Sequence, residues 1–204
     1  MKNKTILFLL CSVMLAGACS RRESAELPSD LAERATLTGR EVSGAFMVTI
    51  KGRLLEAIEE GGPVAAIRVC HEDAGGITAS AAQRAGVMDL RRTSMRLRNP
   101  ENKPTGLDEI AWGHFNDPDS DARQEVEDWV TVDPDDDDRV VYYRALRTIR
   151  LCTTCHGSAD QIPSEVRVAL AEHYPDDRAV GFEEGDLRGL LRVDLARASL
   201  EESL

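Results

Sequence analysis

A chain of 204 residues has room for one well-packed domain and is marginal for two. Its 36 acidic and 25 basic side chains give a formal charge of −11, a surface that disfavours nucleic acid and does not invite adhesion to anionic lipid. Five cysteines are an odd number, so at least one thiol stands outside any intramolecular pairing.

The chain opens on Lys2 and Lys4, an apolar run from Ile6 to Leu15, and small residues up to Cys19. This order is that of a signal peptide, and the run is too short for a spanning helix that stays. Ala16-Gly17-Ala18 suits ordinary signal peptidase, whereas Leu15-Ala16-Gly17-Ala18-Cys19 resembles a lipobox, with Ala16 where leucine is usual. Both routes cut before Cys19. Lipidation of Cys19 is the expected one, because a free thiol at a secreted N-terminus is a liability. Ser20 implies, by resemblance to Gram-negative lipoproteins, a periplasmic position on the outer membrane rather than the inner one. The expected division is a signal peptide at 1–18, a lipidated N-terminus and polar tether at 19–29, and one domain over 30–204. Residues 1–18 hold two lysines and no acid, so their loss takes the charge from −11 to −13.

Asp30 with Glu33 resembles a capping box at the start of that domain. Leu31, Ala35, Thr38, Val42, Ala45, Phe46, Ile50, Leu54 and Ile58 then recur at helical spacing and predict a long amphipathic helix, weakened at Gly39, Gly44 and Gly52. Gly61-Gly62-Pro63 closes it and opens a second helix running to about Ala74, with a stop at Gly75-Gly76. Ile67, Cys70, His71 and Ala74 share one face of this second helix. A short helix over 77–85 follows.

Leu90 to Arg98 reads as extended, with Thr93, Met95 and Leu97 on one side and Arg92, Ser94, Arg96 and Arg98 on the other. Residues 99–104 form a loop, and Thr105 caps a helix whose Trp112 and Phe115 are most simply core aromatics. Val126, Trp129 and Val130 suggest another short helix. The acidic run 133–138 lacks the glycine and distal glutamate of an EF-hand loop and is expected to be a solvated turn. Arg139 to Ile149 and Asp186 to Asp194 read as strands, the latter with Leu187, Leu191 and Val193 inward, and Pro163 to His173 as a helix. Helices first and separated strands later predict an α+β domain with an antiparallel sheet.

Cys152-Thr153-Thr154-Cys155-His156 carries the chemistry. Two thiols one turn apart can each form a thioether with a haem vinyl group, and the histidine after the second then reaches the iron as proximal ligand. A zinc half-site would need a second ligand pair at metal spacing, which the sequence lacks, and a thioredoxin-like pair leaves His156 unexplained. The expected cofactor is one covalent haem c per chain. Cys70 is the cysteine left over. Spacing alone leaves three readings of its helix open: Cys70 as a thiolate ligand, His71 as the ligand, or Cys70 as an apolar filler. Met47, Met88, Met95, His114 and His173 are further candidates for the distal position.

Four stretches taken together resemble a family of exported haem domains with a PAS-like fold, whose structural prototype is a cyanobacterial c-type haem protein. They are Ala66-Ile67-Arg68-Val69-Cys70, residues 91–100, the haem motif, and Gly185-Asp186-Leu187-Arg188-Gly189, in family order over nearly the whole mature chain. The resemblance implies a PAS-like antiparallel sheet with long N-terminal helices around the haem. It also implies a cysteine thiolate opposite the motif histidine, here Cys70, although His71 directly after it departs from the family pattern. Arg91, Arg92, Arg96 and Arg98 suit haem propionates, Arg92 and Arg96 foremost, because guanidinium forks match carboxylates.

The resemblance favours a redox or gas sensor over an enzyme. An electron-transfer cytochrome is the near alternative and a peroxidase-like enzyme a distant one. The partners expected are the membrane through the N-terminal lipid, a redox or signalling protein, and a small gaseous ligand.

Overall fold

A computed structural model describes residues 27–116 and 128–202. The signal segment and Cys19 lie outside the described residues, as does Val126. The first helix, α1 (Ser29–Arg68), contains a break at Gly61 and Gly62, the latter at φ 72°, and resumes at Pro63. Glycine supplies that left-handed residue without steric penalty, and proline suits the first turn that follows. Its N-cap is Pro28 rather than Asp30, which sits in the first turn and pairs with Arg34 at 2.8 Å. A π-helical turn (Val69–Asp73) then leads without interruption into α2 (Ala74–Ala85). Gly75 and Gly76 therefore do not stop the helix, which ends on left-handed Gly86.

Strands β1 (Asp89–Thr93), β2 (Asp128–Asp133), β3 (Asp136–Arg147) and β4 (Leu187–Ala196) form one antiparallel sheet in the order β1-β4-β3-β2. Trp129 and Val130 belong to β2, not to a helix, because they pair with Tyr143 and Tyr142 of β3. The acidic run makes the β2–β3 turn: Asp133 pairs with Arg192 and Asp136 with Arg139. Helix α3 (Gly106–Phe115) follows β1, the single turn α4 (Thr153–His156) and α5 (Ser164–His173) lie between β3 and β4, and α6 (Arg197–Glu201) follows β4.

The sheet is covered on both sides. Leu31, Ala35, Val42 and Phe46 of α1 pack on Leu90, Val140, Tyr142, Leu191 and Val193. At Gly39 a Cβ would lie 2.1 Å from the Tyr142 ring, so glycine is what lets α1 settle on the strand. On the opposite face Ala111 and Phe115 of α3 pack on Val141, Tyr143, Leu187 and Leu190. Central β4 is thus buried on both sides, and Leu187 does not share a face with Leu191 and Val193 as alternation alone suggests.

Asp108, buried on the α3 face, ties α3 to the sheet. It accepts from the Thr105 N–H at 2.7 Å and the Tyr143 hydroxyl at 2.7 Å, and pairs with Arg91 at 2.7 Å and Arg192 at 3.3 Å. Burial pushes its carboxyl up, but these partners outweigh burial and hold it below the usual aspartate range. Its stabilisation is therefore present above the unfolded-state aspartate pKa and is lost as pH falls through the lower folded value. Asp108→Ala leaves Arg192 its partners Asp133 and Asp194 but strands the buried Tyr143 hydroxyl, and is expected to cost about 1–3 kcal/mol in urea unfolding at neutral pH. The difference from wild type should shrink in acid; an equal midpoint at neutral pH contradicts this role.

Candidate functional site

The Cys152–His156 motif lies just beyond β3. A 3-10 turn (Arg150–Cys152) passes into α4, which keeps the two thiols on one helical turn. Cys152, Cys155 and Cys70 are all free thiols. The loop before β4 clamps the turn: Phe182 N–H donates to the His156 carbonyl at 2.9 Å, and Gly181 N–H to the Gly157 carbonyl at 2.6 Å. Arg98 latches the same loop, pairing with Asp177 at 2.9 Å and donating to the Cys155 carbonyl at 2.5 Å. A Cβ at Gly157 would lie 2.5 Å from the Thr153 carbonyl oxygen, so the chain can turn this tightly behind His156 only with glycine there.

His156 Nδ1 lies 2.7 Å from the Ala179 carbonyl and 3.2 Å from Arg188 Nε. The carbonyl can only accept and the guanidinium can only donate, so Nδ1 cannot serve both. The shorter contact assigns the proton to Nδ1 and leaves the Nε2 lone pair free, the arrangement a metal-bound histidine uses. Burial, then Arg188 and Arg98, holds the ring well below the usual histidine range against the pull of Ala179, so it is neutral.

Cys70 reaches the same place from the other end of the sequence. Its neighbour His71 faces elsewhere: Cys70 is half-buried and lines a cavity with Cys152, Cys155 and His156, whereas His71 is exposed and lines an outer cleft. The cavity walls are apolar, with Leu54, Ile58 and Ile67 of α1 and Leu170 and Tyr174 at α5. Burial pushes the Cys70 thiol up, and Arg92, Arg98 and Arg188 pull the other way. The cavity encloses about 140 Å³. A polar pocket of about 150 Å³, lined by Arg92, Ser94 and Arg188, adjoins it through His156 and Arg98.

The four arginines of the β1 region part company. Arg92 lines the polar pocket and meets no carboxylate among the described residues. Arg96 lies over the Phe182 ring at 4.0 Å, Arg98 is the latch, and Arg91 is in the Asp108 cluster on the far face of the sheet. Of the other distal candidates, His114 stacks on Trp129, Met47 packs in the α1 core, Met88 and Met95 are exposed, and His173 stands in the outer cleft.

Sequence reasoning left out Arg188 as a functional side chain. It donates to Ser94 Oγ at 2.9 Å, forms no ion pair among the described residues, and is brought down to about 10 by burial and by neighbouring Arg98. Only its place in the Gly185–Gly189 stretch marked it, since nothing local predicts that an arginine on a strand will be buried beside a histidine.

Comparison with known proteins places these features in one context. The family model described as Tll0287-like matches residues 29–196. The crystal structure of the cyanobacterial haem protein Tll0287 shares 26% identity, with 71% of this chain and 93% of that chain covered and a TM-score of 0.49. No curated protein matches the chain.

Proposed function

The chain belongs to the Tll0287-like family, and on that premise we propose that it is a haem-binding protein with one covalently attached haem c. Thioethers at Cys152 and Cys155 would carry the group, with His156 as proximal and Cys70 as distal ligand. One observation supports this above the rest: both motif thiols, a neutral His156 with Nε2 free, and Cys70 line a single apolar cavity. When bound, the haem supplies reversible one-electron chemistry and an iron centre open to ligand exchange.

The chain's own residues divide the remaining work. Ala179 orients His156 through Nδ1. Arg92, Arg98 and Arg188 favour the thiolate form of Cys70 against the effect of burial. Arg92 and Arg188, both without a carboxylate partner in the polar pocket, suit the two propionates better than the Arg92–Arg96 pair suggested by sequence. The cavity is smaller than a macrocycle, so attachment would part its walls.

The function we favour is redox or gas sensing by a non-catalytic protein. With His156 and Cys70 both holding the iron, the group would supply ferric–ferrous chemistry and ligand exchange at a centre already furnished with two side chains, and an anionic Cys70 thiolate would favour its ferric state. An electron carrier is the second reading, favoured by the edge contact between Tyr174 of the cavity and exposed His71 at 5.2 Å, an aromatic route to the surface. A peroxidase-like site would need a distal acid–base residue beside the iron. His71 lines the outer cleft instead.

Absorption spectra of the ferric and ferrous protein, with and without carbon monoxide, test this reading. A low-spin ferric thiolate spectrum and slow carbon monoxide binding are expected, while a five-coordinate spectrum with immediate binding contradicts it. For localisation, we propose a periplasmic, lipid-anchored protein on the outer membrane. The membrane fraction should then yield an N-terminal peptide beginning at lipid-modified Cys19, and a soluble, unmodified terminus contradicts it.

A further inference from the structure

His71 and His173 hold no iron in the reading favoured above, yet the fold brings them together. His71 comes from the π turn and His173 is the last residue of α5, and their ring centroids are 5.0 Å apart with the planes tilted by 43°. They are two of only four histidines in the chain. Both line the outer cleft, which also carries the carboxylates of Glu101 and Asp176. The one arginine of that cleft, Arg98, is already neutralised by Asp177 at 2.9 Å.

That spacing is within the range of an ordinary tilted ring pair, and it is also the spacing at which two imidazoles can share one ion. An imidazole nitrogen binds a zinc-like ion at about 2.0–2.1 Å, which puts the ring centroid roughly 3.2 Å from the ion. Two such rings on one ion at a near-tetrahedral angle have centroids about 5 Å apart. From this geometry we infer a surface site for a divalent first-row transition ion, held by His71 and His173. No group of three ligating side chains gathers among the described residues, so water completes the coordination. Imidazole suits zinc, copper and nickel, and an open two-imidazole site discriminates little among them beyond their general order of affinity. A bound ion would join the π turn, which carries Cys70, to the end of α5.

The test uses full-length, haem-loaded protein freed of adventitious metal with a chelator and titrated with zinc, which is redox-silent. Calorimetry should detect one binding event, weakened at least tenfold in His71→Ala and in His173→Ala and unchanged in His114→Ala. Cobalt(II) provides a second measurement on the unaltered protein: it should give a tetrahedral absorption band that zinc abolishes. The absence of any zinc binding at millimolar concentration overturns the proposal, and so does equal affinity in wild type and both cleft variants. The proposal rests on the reading in which Cys70 and not His71 holds the iron: with that reading intact, a failure of zinc binding leaves the haem reading standing, whereas an iron held by His71 shows separately, as loss of the low-spin spectrum in His71→Ala.

Discussion

Replacing Cys152 and Cys155 together by alanine is expected to yield a protein without bound haem after denaturing extraction. Two thioethers are the only covalent links proposed, and ligation by His156 and Cys70 does not survive unfolding. The loss should also reach the fold. Cys155 packs against the cluster of Ile67, Ile162, Val166, Leu170 and Tyr174, and an apolar macrocycle beside it would add buried surface that α1 and α5 otherwise leave against water. Thermal unfolding of the double variant should therefore begin lower than that of matured wild type. Haem that stays with the denatured double variant contradicts the assignment. Single replacements should retain the group through one thioether, less tightly and with an altered spectrum.

Cys70→Ala is the second large effect. Removing an anionic ligand destabilises ferric relative to ferrous iron, so the reduction potential should rise. The low-spin thiolate signature should disappear, and carbon monoxide should bind the reduced variant faster than wild type because nothing need be displaced. His71→Ala is the matched control: its neighbour lies in the cavity while His71 lies in the outer cleft. If His71→Ala abolishes the low-spin spectrum and Cys70→Ala leaves it intact, the iron is bis-histidine ligated, and electron transfer becomes the better account of the protein.

Much of this architecture can be read from local pattern. The three- and four-residue steps through Leu31, Ala35, Val42 and Phe46 give the α1 face that meets the sheet, and Gly61-Gly62-Pro63 marks its break because no other residues combine a left-handed turn with a helix start so readily. Thr105 marks the start of α3 as expected, and the structure adds a capping box with Asp108. Where local pattern fails, tertiary pairing decides. Trp129 and Val130 follow Val126 at helical spacing, but cross-strand partners on β3 make them a strand. Gly75 and Gly76 resemble a helix stop, yet both lie inside α2, which runs on to left-handed Gly86.

The site divides in the same way. The Cys152–His156 stretch is legible as a candidate from sequence because the chemistry expected of it needs adjacent residues, and the fold puts it on one turn. That Cys70 rather than His71 lines the cavity is not set by spacing, since neighbours on one turn point about 100° apart and either could face inward; packing against α5 and the motif decides it. The separation of Arg91 from Arg92 follows from strand alternation, which sends neighbours to opposite faces, whereas Arg96 and Arg98 lie beyond the end of β1, where alternation no longer applies. Arg188 has no local signature, since its burial is set by the packing of β4 against the motif loop.

Mass spectrometry of the peptide spanning Cys152 to His156, cut from protein matured in a cytochrome c assembly system and denatured in acid–acetone, tests the central claim most directly. The account predicts that this peptide carries one haem and has no thiol left to alkylate. A peptide of unmodified mass, with both Cys152 and Cys155 alkylated, would contradict it.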